Sequence, residues 1–156
     1  MAIEIERKFL LKNDGWRGLG VGTVYRQGYL SSVKERAVRV RVAGEKATLT
    51  IKGVSKGIAR AEYEYEIPMA DAEAMLNNLC EKPIIEKTRY VIKHDDNIWE
   101  VDEFEGDNKG LFVAEVELNE AEQTFTKPDW VGEDVSDDNR YFNANLIKHP
   151  YSQWTK

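Results

Sequence analysis

The stretch IEIERKF at residues 3–9 alternates acidic or basic side chains with mostly apolar ones. Glu4, Glu6 and Lys8 are spaced two residues apart, and side chains with this spacing point to the same face of a β-strand. Two carboxylates and one ammonium group would therefore share one face of the first strand. Such a face is either exposed to water or lines a site that needs charges of both signs.

The same alternation returns on several later segments, where it also separates the charges by sign. Two segments are basic, one with Arg39 and Arg41 and the other with Lys87 and Arg89. Two others are acidic, one with Glu62, Glu64 and Glu66 and the other with Glu115 and Glu117. For one such segment, a wet sheet face with cross-strand ion pairs is the simplest interpretation. Because exposed ion pairs contribute at most about 1 kcal/mol each, stability alone explains the repeated pattern poorly.

A different explanation holds if the strands close into a barrel with their apolar faces outside, because the charged faces then line a tunnel. Burying so much charge is costly unless a ligand pairs with it. Arg and Lys match phosphate oxygens, and carboxylates without His or Cys are hard ligands suited to Mg²⁺ or Mn²⁺. A long polyphosphate anion would need several cations to bind along its length. The sequence supplies six, which are Lys8, Arg39, Arg41, Lys52, Lys87 and Arg89.

The elements that must position these side chains are mostly strands. Alternation of apolar and polar residues predicts strands over 2–10, 23–31, 36–43, 46–53, 60–67, 85–94, 97–104 and 111–118. Turn-forming residues at 43–46 and 94–97 predict two hairpins, and residues 53–59 predict a longer loop. About eight antiparallel strands with few helices predict an α+β, mainly β fold, a closed or nearly closed barrel.

Three segments are predicted to be helical. Residues 69–80 place apolar side chains at helical spacing, residues 119–125 form a short candidate, and residues 136–148 begin with Ser136 as the N-cap. These helices would cover the outside of the barrel or close one of its ends.

Composition and charge exclude several classes of function. The 156 residues show no composition break, which predicts a single domain over 1–156. The net charge of −6 argues against a general nucleic-acid binder, and no apolar run approaches the roughly 18 residues of a membrane span. The single cysteine, Cys80, and the absence of a signal-peptide pattern favour the cytoplasm. A homodimer would suit a barrel of this size, although no motif indicates one.

Motifs along the whole chain resemble those of the CYTH, or triphosphate tunnel metalloenzyme, superfamily. They are E-x-E-x-K at Glu4, Glu6 and Lys8, YRQGYL (25–30), RVR (39–41), Lys52, EYE (62–64), EKTRY (86–90), VDEF (101–104), AEVEL (114–118) and DVSDDNRYFNANL (134–146). E-x-E-x-K alone is weak, but all the motifs in the family's order make the resemblance specific. The short length and RQGYL make the chain most similar to the small bacterial inorganic tripolyphosphatases.

The resemblance implies an eight-stranded antiparallel tunnel that binds a triphosphate together with Mg²⁺ or Mn²⁺. The reaction it implies is hydrolysis of inorganic tripolyphosphate to pyrophosphate and phosphate, by attack of a metal-oriented water on a terminal phosphoryl group. Other family reactions leave two alternatives, an adenylyl cyclase or a hydrolase of an organic triphosphate such as thiamine triphosphate or a nucleoside triphosphate. A non-catalytic polyphosphate-binding module would not need the acidic pairs and is disfavoured.

The family pattern also implies roles for the charged residues of this chain. The expected metal ligands are Glu4, Glu6, Glu115 and Glu117, with Asp102 adding a metal or water contact. The expected phosphate ligands are Arg39, Arg41, Lys52, Lys87 and Arg89. The glutamate pairs come from near opposite ends of the chain, so a barrel that closes its first strand on its last would bring them together.

Five residues keep two interpretations each at this stage. Glu62 and Glu64 would either contact the metal and water or hold the arginines as ion-pair partners. Lys8 would contact the terminal phosphoryl group or, if neighbouring cations depress its pKa, help to activate water. Tyr29 would either hydrogen-bond Lys8 or pack in the core. Arg60 would either swing in from the 53–59 loop or lie on the surface.

Overall fold

The computed structural model describes residues 3–154 and consists mainly of one antiparallel sheet that closes on itself. Its strands are β1 (Ile3–Leu11), β2 (Val21–Ser31), β3 (Ala37–Ala43), β4 (Lys46–Lys52), β5 (Ala59–Glu66), β6 (Ile85–His94), β7 (Asn97–Phe104), β8 (Phe112–Glu117) and β9 (Val131–Asp134). The two α-helices are α1 (Met69–Asn78) and α2 (Asn143–Leu146), and short 3₁₀ turns occupy residues 106–108, 139–141 and 151–153. Residue 2, which the sequence placed in the first strand, lies outside the described residues.

The strands follow the order β5-β4-β3-β2-β6-β7-β8-β1, and β1 pairs with β5 to close a ring of eight. One edge of β1 pairs with β8. The opposite edge is divided between β5, which reaches residues 3–5, and β9, which pairs further along β1. The predicted closed antiparallel barrel is therefore confirmed. The added strand β9 was not predicted, because its four residues are too few for an alternating pattern to show.

The outward faces of the strands are apolar and are covered by one helix and two irregular segments. Helix α1 places the fully buried Ala72 and Leu76 over Val40 and Ala47 of β3 and β4. On the other side of the barrel, residues 12–20 and 119–130 contribute the buried rings of Trp16 and Trp130 to a cluster built on β1, β6, β7 and β8. Apolar outer faces leave the alternate, charged positions for the lumen.

The prediction of a helix over 119–125 was wrong. This segment is an irregular loop, and the ring of Phe125 lies 6.2 Å from that of Phe9 and 5.9 Å from that of Trp99. These aromatic contacts with the outer face of the barrel override a weak local preference for helix.

The long helix predicted over 136–148 was also wrong, since the segment holds only a 3₁₀ turn and the four-residue α2. Ser136 is not an N-cap, because its hydroxyl oxygen accepts the backbone N–H of Lys8 at 2.8 Å and its own N–H donates to Asp134. The Asn and Asp residues here bond to nearby backbone groups, as Asp138 does with the N–H of Arg140, and such bonds compete with helix formation.

The C-terminal segment closes one end of the barrel. Tyr141, Leu146 and Ile147 are buried against Phe104 and Val113, which share strand faces with the charged residues of β7 and β8. One end of the lumen is thus filled by an apolar plug. No helix within residues 3–154 is long and apolar enough to cross a membrane.

Candidate active site: a charged tunnel

The charged faces of β1, β3, β6, β7 and β8 carry side chains buried inside the barrel, whereas Glu64 and Glu66 of β5 are exposed. Arg39, Lys87 and Arg89 expose only 6%, 1% and 6% of their surface. Strand pairing places Arg89 opposite Asp102, and Lys8 opposite Glu115. On the strands that carry these buried residues the wet-face interpretation therefore fails, and their charges form the wall of a tunnel.

Asp102 lies at the centre of one group of buried charges. Its carboxylate accepts Lys87 Nζ at 2.8 Å and Arg89 Nε and Nη2 at 2.7 and 2.8 Å. Burial would raise the pKa of Asp102, but Arg89 and Lys87 hold it below its usual value. The contacts of Asp102 are thus with cations, although the sequence had grouped it with the metal ligands.

Lys87 is a tunnel cation whose pKa is shifted towards neutrality. Complete burial, together with the neighbouring charges of Arg89 and Arg41, lowers its pKa to about 7 despite the opposing effect of Asp102. Arg89 shows the reverse, since Asp102 and two further carboxylates outweigh its burial and raise its pKa well above the usual value. Lys87 is consequently the cation whose charge responds to pH near neutrality.

The opposite wall carries a second set of ion pairs. Arg39 Nη2 donates to Thr50 Oγ1 at 3.2 Å and lies 3.5 Å from the carboxylate of Glu64. Lys52 Nζ lies 2.8 Å from Glu4 and 3.4 Å from Glu62. Of the two interpretations left open for Glu62 and Glu64, these distances favour the role of ion-pair partners.

Four glutamates gather where β1 pairs with β8, as expected from strand closure. Glu6 lies directly opposite Glu117 in the register. Burial and the charges of Glu115 and Glu4 raise the pKa of Glu6 well above its usual value. Burial, Glu4 and other carboxylates likewise raise the pKa of Glu117. The cluster therefore carries repulsion between like charges that a divalent cation would relieve.

The fit of a metal ion to this cluster rests on the chemistry of its donors. Among residues 3–154, no group of three or more His, Cys, Asp or Glu side chains is already arranged to hold a metal ion. Lys52 occupies one carboxylate, that of Glu4, at 2.8 Å. The oxygen-only donors and their mutual repulsion fit Mg²⁺ or Mn²⁺, provided that the side chains rearrange when the ion binds.

Lys8 is buried between the acidic cluster and the plug. Its Nζ donates to the carbonyl oxygen of Tyr141 at 3.2 Å and lies 3.5 Å from Glu115. Burial would lower the pKa of Lys8, but Glu115 and Glu6 raise it above the usual value. A lysine held protonated favours phosphate contact over activation of water, which requires a neutral amine. Tyr29 lines the same cavity and is 6% exposed.

A cavity of about 280 Å³ opens beside the plug. Its lining includes Glu4, Glu6, Lys8, Arg39 and Lys52. The 53–59 loop and residues 142–145 form its rim. Arg60 also lines the cavity, with Nε and Nη2 bonded to the carbonyl oxygen of Gly53 at 3.1 and 2.9 Å, so it belongs to the wall and not to the distant surface.

Three tunnel residues were missing from the set expected from sequence. Glu100 lies 3.3 Å from Arg89. Tyr25 presents its ring to Arg41, and Gln27 accepts the Nε–H of Arg41 at 2.9 Å. All three could have been predicted from their spacing, because each is two residues from another lumen-facing position on β2 or β7 and therefore lies on the same face of its strand.

Comparisons with known proteins agree with this geometry. The CYTH domain family model matches residues 2–151. The inorganic triphosphatase of Acetivibrio thermocellus is 51% identical over 154 residues and covers 99% of each chain. That of Nitrosomonas europaea is 38% identical over 149 residues, 92% of this chain and 95% of its own. A solved structure of an inorganic triphosphatase superposes with a TM-score of 0.66 at 36% identity, over 92% of this chain and 97% of that one. Because the family model spans nearly the whole sequence, this chain belongs to the CYTH domain family.

Proposed function

We propose that the protein hydrolyses inorganic tripolyphosphate to pyrophosphate and phosphate, with Mg²⁺ or Mn²⁺ as its cofactor. The observation that carries the proposal is that buried cations of β1, β3 and β6, and the partly buried Lys52 of β4, share the interior of the barrel with a glutamate cluster on β1 and β8. Two relatives at 51% and 38% identity are inorganic triphosphatases, which supports the same reaction.

The cations would bind the phosphate chain along both walls of the tunnel. Arg39 and Lys52 lie on one wall, and Lys87 and Arg89 lie on the other. Each is already paired with a carboxylate, so phosphate oxygens would replace or share existing contacts. Preorganised cations of this kind stabilise the charge that develops on the leaving and transferring oxygens.

The metal would be held by Glu4, Glu6, Glu115 and Glu117. When bound, the ion would orient the attacking water and neutralise phosphate charge. Asp102 is assigned a separate role, which is to hold Lys87 and Arg89 in position through its three charged hydrogen bonds.

Lys8 would contact the terminal phosphoryl group. Its protonated amine lies beside the glutamate cluster, so it can reach an oxygen of a phosphoryl group that is also near the metal ligands. Tyr29 would line this end of the substrate path. We also propose a cytoplasmic location, which rests on the single buried cysteine, and leave a homodimer as a state to be measured.

The test is to incubate the purified protein with tripolyphosphate and Mg²⁺ or Mn²⁺, and to resolve the products by ion chromatography. We expect pyrophosphate and phosphate in equal amounts, and EDTA should abolish both. Parallel incubations with ATP and thiamine triphosphate should release phosphate more slowly and no cyclic AMP. Cyclic AMP as the main product, or tripolyphosphate left intact with either metal, would contradict the proposal.

A further inference from the structure

Gln27 is a fully buried polar residue that the roles above leave unused. It lies on the lumen face of β2, opposite Arg41 on β3 and Ile85 on β6. Its side-chain oxygen accepts the Nε–H of Arg41 at 2.9 Å. Its amide nitrogen has no hydrogen-bond partner among the described residues. Buried amide donors are rarely left unpaired in native proteins.

The orientation of this amide is fixed by the chemistry of Arg41. A guanidinium group only donates hydrogen bonds, so the atom that faces Arg41 Nε must be the oxygen of Gln27. The two N–H donors then point away from Arg41 within a tunnel wall. Among the described residues these donors meet no acceptor.

Arg41 itself differs from the other tunnel cations in the kind of partner it has. Arg39, Lys52, Lys87 and Arg89 each lie within ion-pair distance of at least one carboxylate. Within residues 3–154, Arg41 has no such carboxylate partner.

The partners of Arg41 are both neutral. They are the amide oxygen of Gln27 and the ring of Tyr25, whose centroid lies 4.8 Å from the guanidinium carbon. Neutral partners hold the guanidinium in place without cancelling its charge. Arg41 therefore remains the cation most available to an anion.

We propose that Gln27 is a substrate-positioning residue with two roles. It orients the charged guanidinium of Arg41 towards the substrate, and it donates its free amide N–H groups to a phosphate oxygen of the bound substrate. The inference rests on the proposed function, because the ligand it names is the phosphate chain. It assigns to the second-strand motif YRQGYL a role in recognition of the anion, carried by alternate residues of β2.

Two substitutions separate this role from a purely structural one. Gln27→Glu keeps the shape and an acceptor for Arg41, but neutralises that cation and removes the amide donors. Gln27→Met keeps a similar volume and removes both functions. If Gln27 only supported the fold, Glu would serve as well as Gln and Met would be worst. The proposal predicts the order Gln, then Met, then Glu.

The measurement is the affinity for tripolyphosphate by titration calorimetry in EDTA, where hydrolysis cannot interfere. We expect Gln27→Met to weaken binding about tenfold and Gln27→Glu by more, as for a lost hydrogen bond to a charged group. Gln153→Glu adds the same charge at an exposed position and should leave binding unchanged. Wild-type affinity in either Gln27 variant would overturn the inference.

The NMR signal of the Gln27 side-chain amide provides a readout that needs no variant to fold. Tripolyphosphate should shift both ¹H resonances of this amide in the wild-type protein. Unchanged resonances with bound tripolyphosphate would overturn the inference and leave the proposed function standing. Failure of the wild-type protein to bind tripolyphosphate at all would overturn both.

Discussion

Replacing Asp102 with Asn should destabilise the free protein much more than loss of an ordinary ion pair. Asp102 is 1% exposed and accepts three charged hydrogen bonds. Asn preserves the shape but leaves Lys87 without its carboxylate partner, whereas Arg89 keeps Glu100 at 3.3 Å and Glu115 at 3.7 Å.

The magnitude follows from that difference between the two cations. Breaking a buried ion pair by removing one partner costs about 3–5 kcal/mol. Because Arg89 retains two carboxylates, and because Lys87 with its pKa of about 7 can release its proton when Asp102 is lost, we expect the lower limit, about 3 kcal/mol of unfolding free energy. At roughly 2–4 °C per kcal/mol for a chain of this size, the Tm should fall by about 6–12 °C.

The assay is thermal unfolding followed by circular dichroism in EDTA, with and without tripolyphosphate. The phosphate charges would replace the missing carboxylate beside Lys87, so tripolyphosphate should raise the Tm of Asp102→Asn more than that of the wild-type protein. Turnover with metal should nevertheless fall, because Lys87 and Arg89 lose their alignment.

The matched control is Glu73→Gln. Glu73 pairs with Arg26 at the same distance of 2.8 Å, but at the surface, where a pair contributes at most about 1 kcal/mol. Equal losses of Tm in Asp102→Asn and Glu73→Gln would refute the reasoning about burial. An equal gain from tripolyphosphate in Asp102→Asn and wild type would refute the idea that the anion takes over the partnership with Lys87.

Other residues of the tunnel offer three more tests. Arg39→Ala should remove most tripolyphosphatase activity and leave the circular dichroism spectrum unchanged. The control, Arg36→Ala in the exposed β2–β3 loop, should change neither activity nor spectrum. Wild-type turnover in Arg39→Ala would argue strongly against the phosphate-binding role. The pKa of Lys87 at about 7 means that at pH 8 the free protein holds this amine mostly neutral, and the bound anion should raise its pKa. Tripolyphosphate binding should therefore take up protons at pH 8, and its affinity should fall as the pH rises above 7. Calorimetry in buffers of different ionisation enthalpy measures this proton uptake. If no uptake is detected, the reasoning is wrong. Glu6 has a raised pKa, so at a pH low enough to protonate it, binding of Mn²⁺ should release its proton. Glu6→Gln should abolish this proton release. If the release remains in Glu6→Gln, another group is responsible for it.

The strands and the tunnel could be predicted from sequence because each depends on a local period of two. The span of β6, Ile85–His94, agrees with the prediction to the residue, and the hairpin turns fall at Gly44 and Asp95, both with positive φ. The alternating charged positions of β1, β3, β6, β7 and β8 include the buried charges of the barrel, since parity within a strand fixes the face of every side chain once one face is known.

The C-terminal region could not be predicted in the same way because its structure depends on contacts with distant residues. The hydroxyl of Ser136 bonds the backbone of Lys8, and the backbone N–H of Val135 donates to the carbonyl oxygen of Lys8. These bonds fill the gap on β1 between β5 and β9, where no strand partner is present. A local helical pattern carries no information about an unfilled strand edge.

The sequence likewise could not predict which carboxylate pairs with which cation. Asp102 and Glu100 lie on the same face of the same strand, yet Asp102 is buried among cations and Glu100 is partly exposed with a raised pKa. Their difference arises from depth in the lumen, which depends on the register and tilt of the closed barrel. Alternation predicts the face of a residue but not its depth.

Depth in the tunnel also determines which cations can change partner when an anion binds. Separating a charge pair is easier where water can solvate the carboxylate that is released. Glu64, the carboxylate partner of Arg39, is 47% exposed at its side chain, so Arg39 could turn to phosphate oxygens while this glutamate becomes hydrated. The carboxylate of Asp102 is 1% exposed and has no such access to water, so it would keep Lys87 and Arg89 if they bind the phosphate chain. On this reasoning Arg39 would exchange its carboxylate partner for phosphate, whereas Lys87 and Arg89 would add a phosphate ligand to a fixed network, and the closed barrel would place both kinds of cation around one phosphate chain.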